Sequence, residues 1–269
     1  MYLLSETQRT QLKEEGWCLI TREEIGSREL VRRALRSVNL WCADVRLPAL
    51  SRGLPRVRLR DFASDTFCPD LRFAPEFQDL VEKTGVRSII NSIIGETAEF
   101  GVQIALRFPD ERGSQSDFHP HIDGFASDDL LDNFNILAGI YLSDVTRQFA
   151  GNFTVWPKSH IAAAKFFARH DAQQLLQTKQ FSLLREMVIG IPETEPLQVE
   201  ARAGDVVLCH YLLFHCPAVN LSEDIRYMAF VRFRSTRQAR GDAEQLGSLW
   251  HYWNDQAMHG RPNDNSKLS

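Results

Sequence analysis

The chain lacks paired cysteines. Its five, at 18, 42, 68, 209 and 216, are scattered, odd in number and form no CxxC. That excludes a disulfide framework and fits reduced thiols in a reducing compartment. No apolar run approaches the roughly 20 residues that cross a bilayer. The opening MYLLSETQRTQLKEEG has too short an apolar stretch for a signal peptide. A cytoplasmic protein that does not engage a membrane is expected. No GxGxxG or Walker sequence follows a candidate strand, so a nucleotide-binding fold has no support. Excess basic charge is missing too: 31 Lys and Arg stand against 35 Asp and Glu, a net charge of −4. Nucleic acid is therefore not the expected partner. The one locally basic stretch, RGLPRVRLR at 52–60, reads as a solvated strand or loop.

The 269 residues also show no internal repeat and no linker. One domain is expected over 1–269: a helical N-terminal layer to about 97, a β core over about 98–235 and a tail over about 236–269. A chain of this length buries enough apolar surface to fold without cross-links.

Helix signals fill the first third. Ser5-Glu-Thr-Gln8 matches a capping box. Leu30, Val31, Ala34, Leu35, Val38, Trp41 and Cys42 recur at helical spacing after Ser27. Pro75 suits a first helical position, and a further helix runs through Ile89, Ile90, Ile93 and Ile94 between Gly85 and Gly95. Strand signals then take over at 100–108, 133–142, 152–156, 197–201, 205–214 and 226–233. Several short strands bounded by Gly, Asp and Pro predict a sandwich or barrel. A helical insert at 161–190 interrupts them. The fold class is mainly β with α.

The chemistry concentrates in FHPHIDGF at 118–125. In an extended chain alternate side chains point the same way. His121 and Asp123 therefore aim an imidazole nitrogen and a carboxylate oxygen at a common point. His215, at the end of the most apolar strand candidate, is the best third ligand. Two histidines and one carboxylate form the face that suits non-haem Fe(II) and leaves positions open. Arg226 shares a strand face with Met228 and Phe230. An arginine on an inward face is costly unless an anion meets it, and its fork pairs naturally with a carboxylate.

H-x-D, then AGNFTVWPKSH at 150–160, then AGDVVL and FH ending at His215, then Asn220, Ser222 and Arg226, together resemble the phytanoyl-CoA dioxygenase family of Fe(II)/2-oxoglutarate oxygenases. Asn220 and Arg226 stand five and eleven positions after His215, as in the family. The matching stretch runs from about 100 to 235. The resemblance implies a double-stranded β-helix, a cupin-like jelly roll, carrying N-terminal helices and a helical insert. It implies that His121, Asp123 and His215 hold Fe(II), that 2-oxoglutarate chelates the metal and meets Arg226 with its distal carboxylate, and that O2 takes the last position. It implies hydroxylation of a C–H bond in a small organic molecule, with 2-oxoglutarate decarboxylated to succinate. Asp123 favours that outcome, since related halogenases carry Gly or Ala there. Ala150 and Lys158 depart from the family's usual Asn and Gly.

Plainer readings stand beside these. His119 could replace His121, at the loss of the shared face. His215 could be a satisfied core histidine, and Arg226 an ordinary ion pair with Asp224 or Glu223. Gln103 and Thr154 either bind the co-substrate or are structural. Trp156 is placed on the face of Thr154, and Trp250 and Trp253 in packing. Arg56, Arg58 or Arg107 could receive an anionic substrate. Competing functions are a metal-binding sensor or carrier on the same fold, and a protein hydroxylase or demethylase.

Overall fold

The computed structural model describes residues 3–51, 68–110, 118–124, 133–171, 174, 195–239, 241 and 244–254, with the backbone alone over 44–51. Helix α1 (Glu6–Glu15) starts as the capping box predicts: Gln8 N–H donates to Ser5 Oγ at 3.2 Å and Ser5 N–H to Gln8 Oε1 at 2.9 Å. It ends at Gly16, whose φ of 84° is the left-handed conformation that glycine adopts at little cost. The chain then turns straight into β1 (Trp17–Ile20), followed by α2 (Arg22–Ile25) and α3 (Arg28–Ser51). After a 3-10 turn (Pro69–Leu71) come α4 (Pro75–Lys83), with proline at its first position, and α5 (Val86–Ile94), set between Gly85 and Gly95. The remainder is β2 (Val102–Arg107), β3 (Ile136–Tyr141), β4 (Phe153–Val155), α6 (Ser159–Phe167), β5 (Leu197–Val199), β6 (Val206–His210), β7 (His215–Pro217), β8 (Arg226–Phe233) and α7 (Glu244–Gly247).

Two antiparallel sheets form, in the orders β1-β6-β3-β8-β2 and β5-β4-β7. Strand alternation divides the large sheet between two cores. Ile104, Ile136, Ala138, Leu208, Val231 and Phe233 face Leu12, Phe77, Leu80 and Ile90 of the helical layer. Ala105, Leu137, Tyr141, Val207, Met228 and Phe230 face the small sheet, where Phe153 and Val155 meet them. The Phe153 and Phe230 rings, 5.6 Å apart, bridge the gap between sheets. This is a jelly roll with helices on one outer face, as the family resemblance implies. All five cysteines carry free thiols, and no helix among the described residues is long and apolar enough to cross a membrane.

The strand pattern needs two corrections. The N-terminal third is not wholly helical, because β1 pairs with β6 as the edge of the large sheet. Four apolar residues between Gly16 and Thr21 are too few to show a period. The run 205–214 is not one strand. It leaves the large sheet at His210, turns, and enters the small sheet at His215. Leu212 N–H donates to His210 Nδ1 at 3.1 Å and Leu213 N–H to His210 O at 2.9 Å, which closes the turn. The run is apolar throughout because it is buried on both sides of that crossing. Of the 161–190 insert, α6 covers the start. Residues 172–173 and 175–194 lie outside the described residues, as do Arg56 and Arg58 and the tail from 255.

A buried aromatic cluster ties the periphery to β6. His210 Nε2–H donates to Leu249 O at 2.7 Å, and its ring stacks on Trp253 at 5.4 Å. His160, 5.2 Å from His210, donates Nε2–H to Lys13 O at 3.2 Å. Burial, the larger influence, brings the His160 pKa down to about 4 against the opposing backbone bond. Burial and then His160 hold His210 well below its usual range. Both are neutral in the folded protein and protonate freely when it unfolds. Below about pH 6.5 the unfolded state therefore binds more protons, and stability falls with pH. His160 alone should cost about 1 kcal/mol between pH 7.5 and 5.5. Urea unfolding at the two pH values measures this, and His160→Gln should shrink the loss by that amount; an unchanged difference would refute it.

Candidate metal centre

The site begins with a backbone pairing. His121 and His215 form an isolated antiparallel bridge, each N–H donating to the other's carbonyl at 3.0 Å. A directly opposed pair sends its side chains to one face of the sheet, and the two imidazole rings stand 4.7 Å apart. Asp123, two residues on from His121, returns to that face. Its Oδ1 lies 3.7 Å from His121 Nε2 and 3.8 Å from His215 Nε2. One donor atom from each of the three residues falls within 4.8 Å of the others, a spread that can hold a metal ion.

The ring orientations are set from behind. His215 Nδ1 is 3.0 Å from Leu213 O and His121 Nδ1 is 3.3 Å from His119 O. A carbonyl only accepts, so each Nδ1 carries the proton and each Nε2 turns a lone pair inward. His215 is buried, and burial brings its pKa down to about 4 against the pull of Asp123. It is neutral at neutral pH and available as a ligand. Burial works against the charge on Asp123, yet His215, Arg232 and His121 outweigh it and hold the carboxyl below its usual range. The donor set, two imidazoles and one carboxylate, fits a divalent cation. His119 is exposed, and its carbonyl rather than its ring serves the site.

Further supports were not apparent from the sequence. Asn133 Nδ2 donates to the Asp123 carbonyl at 2.9 Å. Arg232 donates from Nε to Asp123 Oδ2 at 2.9 Å and from Nη1 to Gln103 Oε1 at 2.7 Å, and its Nη2 is in ion-pair contact with the same Oδ2 at 2.8 Å. Gln103 thus faces the site, with its oxygen committed to Arg232. A cleft of about 750 Å³ reaches the triad at Asp123; Gln103, Asn133, Phe134, Arg232 and Arg72 line it.

Arg226 opens β8 and is buried, 4% exposed. Its Nε donates to Gly151 O at 2.8 Å and its Nη1 to Ala105 O at 3.3 Å. Gly151, at φ 75°, lies so near that a Cβ there would sit 3.2 Å from Arg226 Cβ. No carboxylate contacts Arg226 among the described residues. Glu223 pairs with Arg147 instead. Burial, opposed by the nearby Tyr141, brings the guanidinium down to about 10. A buried cation of this kind fits an incoming anion. Its position depends on the preceding turn. Asn220 Nδ2 donates to Arg107 O at 2.9 Å and Asp224 O at 2.7 Å, and Asn220 Oδ1 accepts from Ser222 Oγ at 2.6 Å.

Thr154 is placed differently from the expectation that it lines the pocket. It pairs with Cys216, while its neighbours Phe153 and Val155 pair with Pro217 and His215. Phe153 contacts the His215 ring at 5.2 Å, so alternation turns Thr154 to the opposite face. There its Oγ1 has the Asn152 carbonyl at 3.5 Å. Lys158 occupies the family's glycine position at φ 67°, tied by its N–H to Glu15 O at 3.0 Å.

The family model for phytanoyl-CoA dioxygenase (PhyH) matches residues 49–228, about two thirds of the chain. The chain belongs to this family. Comparison with curated proteins gives no significant match. Among solved structures, it is similar to EctD from S. alaskensis in its apo form (TM-score 0.57, 15% identity, 88% of this chain and 79% of that one). It is also similar to the carbocyclase SnoK from nogalamycin biosynthesis (0.54, 18%, 89% and 92%). A third is the epimerase SnoN in complex with Fe3+, alpha ketoglutarate and nogalamycin RO (0.54, 15%, 88% and 86%). At these identities the likeness establishes the fold, and family membership brings oxygenase-type chemistry with it.

Loss of an outer partner of a metal ligand costs about 10–100-fold in affinity, so loss of a ligand should cost more than about 100-fold. Ni(II) titration by calorimetry should show that for His121→Ala, Asp123→Ala and His215→Ala. His119→Ala should stay within a few-fold of the parent; a reversal of the two histidines would reassign the ligand.

Proposed function

We propose that the protein is an Fe(II)/2-oxoglutarate-dependent oxygenase that hydroxylates a C–H bond of a small organic molecule. The observation that carries this is the coincidence of the His121, Asp123 and His215 donor set with a buried Arg226, on the inner face of the same barrel, that no carboxylate contacts among the described residues. In this reading 1–269 acts as one domain, in the cytoplasm, without nucleic acid or membrane as partner.

His121 and His215 would offer their Nε2 lone pairs to the iron, and Asp123 its Oδ1. Arg226 would receive the distal carboxylate of 2-oxoglutarate through its fork, replacing weak backbone contacts with a charge-assisted pair. Tyr141, close enough to act on the Arg226 charge, lines that end. Phe153 and Phe230, packed together and, through Phe153, on the His215 ring, keep water from the buried side of the centre. The cleft at Asp123 would admit the substrate. When bound, iron, 2-oxoglutarate and O2 supply the oxidising power. One oxygen atom enters the C–H bond, and the other enters succinate as carbon dioxide is released.

Anaerobic Fe(II) with 2-oxoglutarate should give a weak visible charge-transfer band that His215→Ala abolishes. A turnover screen against a metabolite panel should yield succinate and a product heavier by one oxygen atom. Arg226→Gln should raise the 2-oxoglutarate concentration for half-saturation about 100-fold, the loss of about 3 kcal/mol of charged hydrogen bonding. Metal binding without any 2-oxoglutarate consumption would point instead to a sensor or carrier. A product lighter by two hydrogens would replace hydroxylation with desaturation or ring closure.

A further inference from the structure

Among the described residues, the Asp123 carboxylate is gripped by one oxygen only. Two Arg232 nitrogens converge on Oδ2: Nε–H donates to it at 2.9 Å, and Nη2 lies in ion-pair contact at 2.8 Å. Oδ1 takes no part in that grip and stands 3.7 and 3.8 Å from the two imidazole Nε2 atoms. The guanidinium is fixed in turn. Its Nη1 donates to Gln103 Oε1 at 2.7 Å, and its Cζ lies 5.8 Å from the centroid of the Phe134 ring. Gln103 sits opposite Phe230 in the β2–β8 register, and alternation places it on the face of β2 that looks into the barrel. The grip is therefore built from two neighbouring strands, β2 and β8, closing on a loop residue.

We propose that Arg232 is a positioning residue that restricts Asp123 to ligation through Oδ1 alone. The inference rests on the reading of the triad as a metal centre. A carboxylate binds a metal through one oxygen or through both. In a six-coordinate centre, three single-atom protein ligands leave three positions, enough for a two-atom chelate from 2-oxoglutarate and one for O2. An Asp123 that chelated through both oxygens would take one of those three. The Nε–H bond and the Nη2 ion-pair contact on Oδ2 oppose that swing, since chelation would break the charge-assisted bond and part the ion pair. The orientation of the carboxylate thus sets how many exchangeable positions the centre keeps.

Charge alone predicts something different. A guanidinium beside the site repels a cation and attracts an anion, so by charge alone its removal would tighten metal binding and loosen 2-oxoglutarate, with Asp123 still bound through one oxygen and Arg232→Lys like the parent. Orientation predicts a second Asp123 oxygen on the metal and weaker 2-oxoglutarate binding even where the charge is kept. The probes are Ni(II) and 2-oxoglutarate, added to the intact chain. In Ni(II)-loaded Arg232→Met, 2-oxoglutarate affinity measured by calorimetry should fall about 10–100-fold, the range for outer partners of metal ligands. A crystal structure of that variant with Ni(II) should show both Asp123 oxygens on the metal, against one in the parent. Arg232→Lys keeps the charge but not the two-pronged grip, and should lose affinity to an intermediate degree. The Arg232 side chain is 37% exposed, so neither change empties the core, and thermal unfolding of the metal-free variants checks folding. If Arg232→Met does not fold, Arg232→Lys carries the test. Affinity within twofold of the parent in Arg232→Met, a carboxylate still bound through one oxygen there, or parental behaviour in Arg232→Lys each overturns the proposal. A parent chain that takes up neither Ni(II) nor 2-oxoglutarate would instead sink the metal reading itself.

Discussion

The antiparallel bridge between His121 and His215 is the constraint on which the rest of the site depends. Two backbone hydrogen bonds at 3.0 Å fix the separation of residues 94 positions apart in the chain. With the backbones paired, the imidazoles have one face to occupy, and carbonyls two residues upstream set their tautomers. Asp123 follows from the period of an extended strand. A metal centre assembled this way needs no long side chains to reach inward, so little conformational entropy is lost in forming it. The barrel supplies the stiffness: β7 is held against β4, and β4 against β5.

Strand β8 carries the second constraint. Its inner face presents Arg226, Met228, Phe230 and Arg232 in sequence, and the two arginines lie about 20 Å apart along the strand. They answer the same electrostatic problem in opposite ways. Arg232 is partly exposed and already paired, with Asp123 and Gln103. Arg226 is buried and, among the described residues, meets only backbone carbonyls. The first is satisfied within the chain and steadies a carboxylate of the candidate metal centre. The second has no anionic partner among the described residues, and the barrel holds it there through the Asn220 turn at the cost of burying a charge.

The features legible in the sequence are those governed by short-range geometry. The Ser5 capping box, Pro75, Gly85 and Gly95 act within a turn of their own helices. His121 and Asp123 share a face because they are two apart. Arg226 follows His215 at eleven positions because Asn220 and Ser222 build a turn of fixed length between β7 and β8. What could not be read depends on register between distant strands. Thr154 shares a strand with Phe153, but only the β4–β7 pairing shows which of the two faces His215. Arg232 looks like a charge at an exposed strand end until Asp123, 109 positions away, is brought against it. The run 205–214 hides a change of sheet, since burial on both sides erases any period. Composition says nothing of β1, which earns its place by covering the edge of β6.

Burial around the triad is uneven, and this bears on where reaction occurs. The His215 side chain is 8% exposed, that of Asp123 14% and that of His121 50%. The protein side of the centre is closed by Phe153 and by β7. The open side lies past His121 and Asp123, toward the cleft that Gln103, Arg232 and Asn133 line. A cation held by the three donors would turn its free positions away from the packed core. Selectivity for a substrate then falls to residues that pack little and change at small cost in stability, while the ligands and Arg226 are fixed by strands that cannot shift without unmaking the barrel. One scaffold can in this way serve an epimerase, a carbocyclase and a family of dioxygenases: the reacting centre is set by register, and what reaches it is set by the rim.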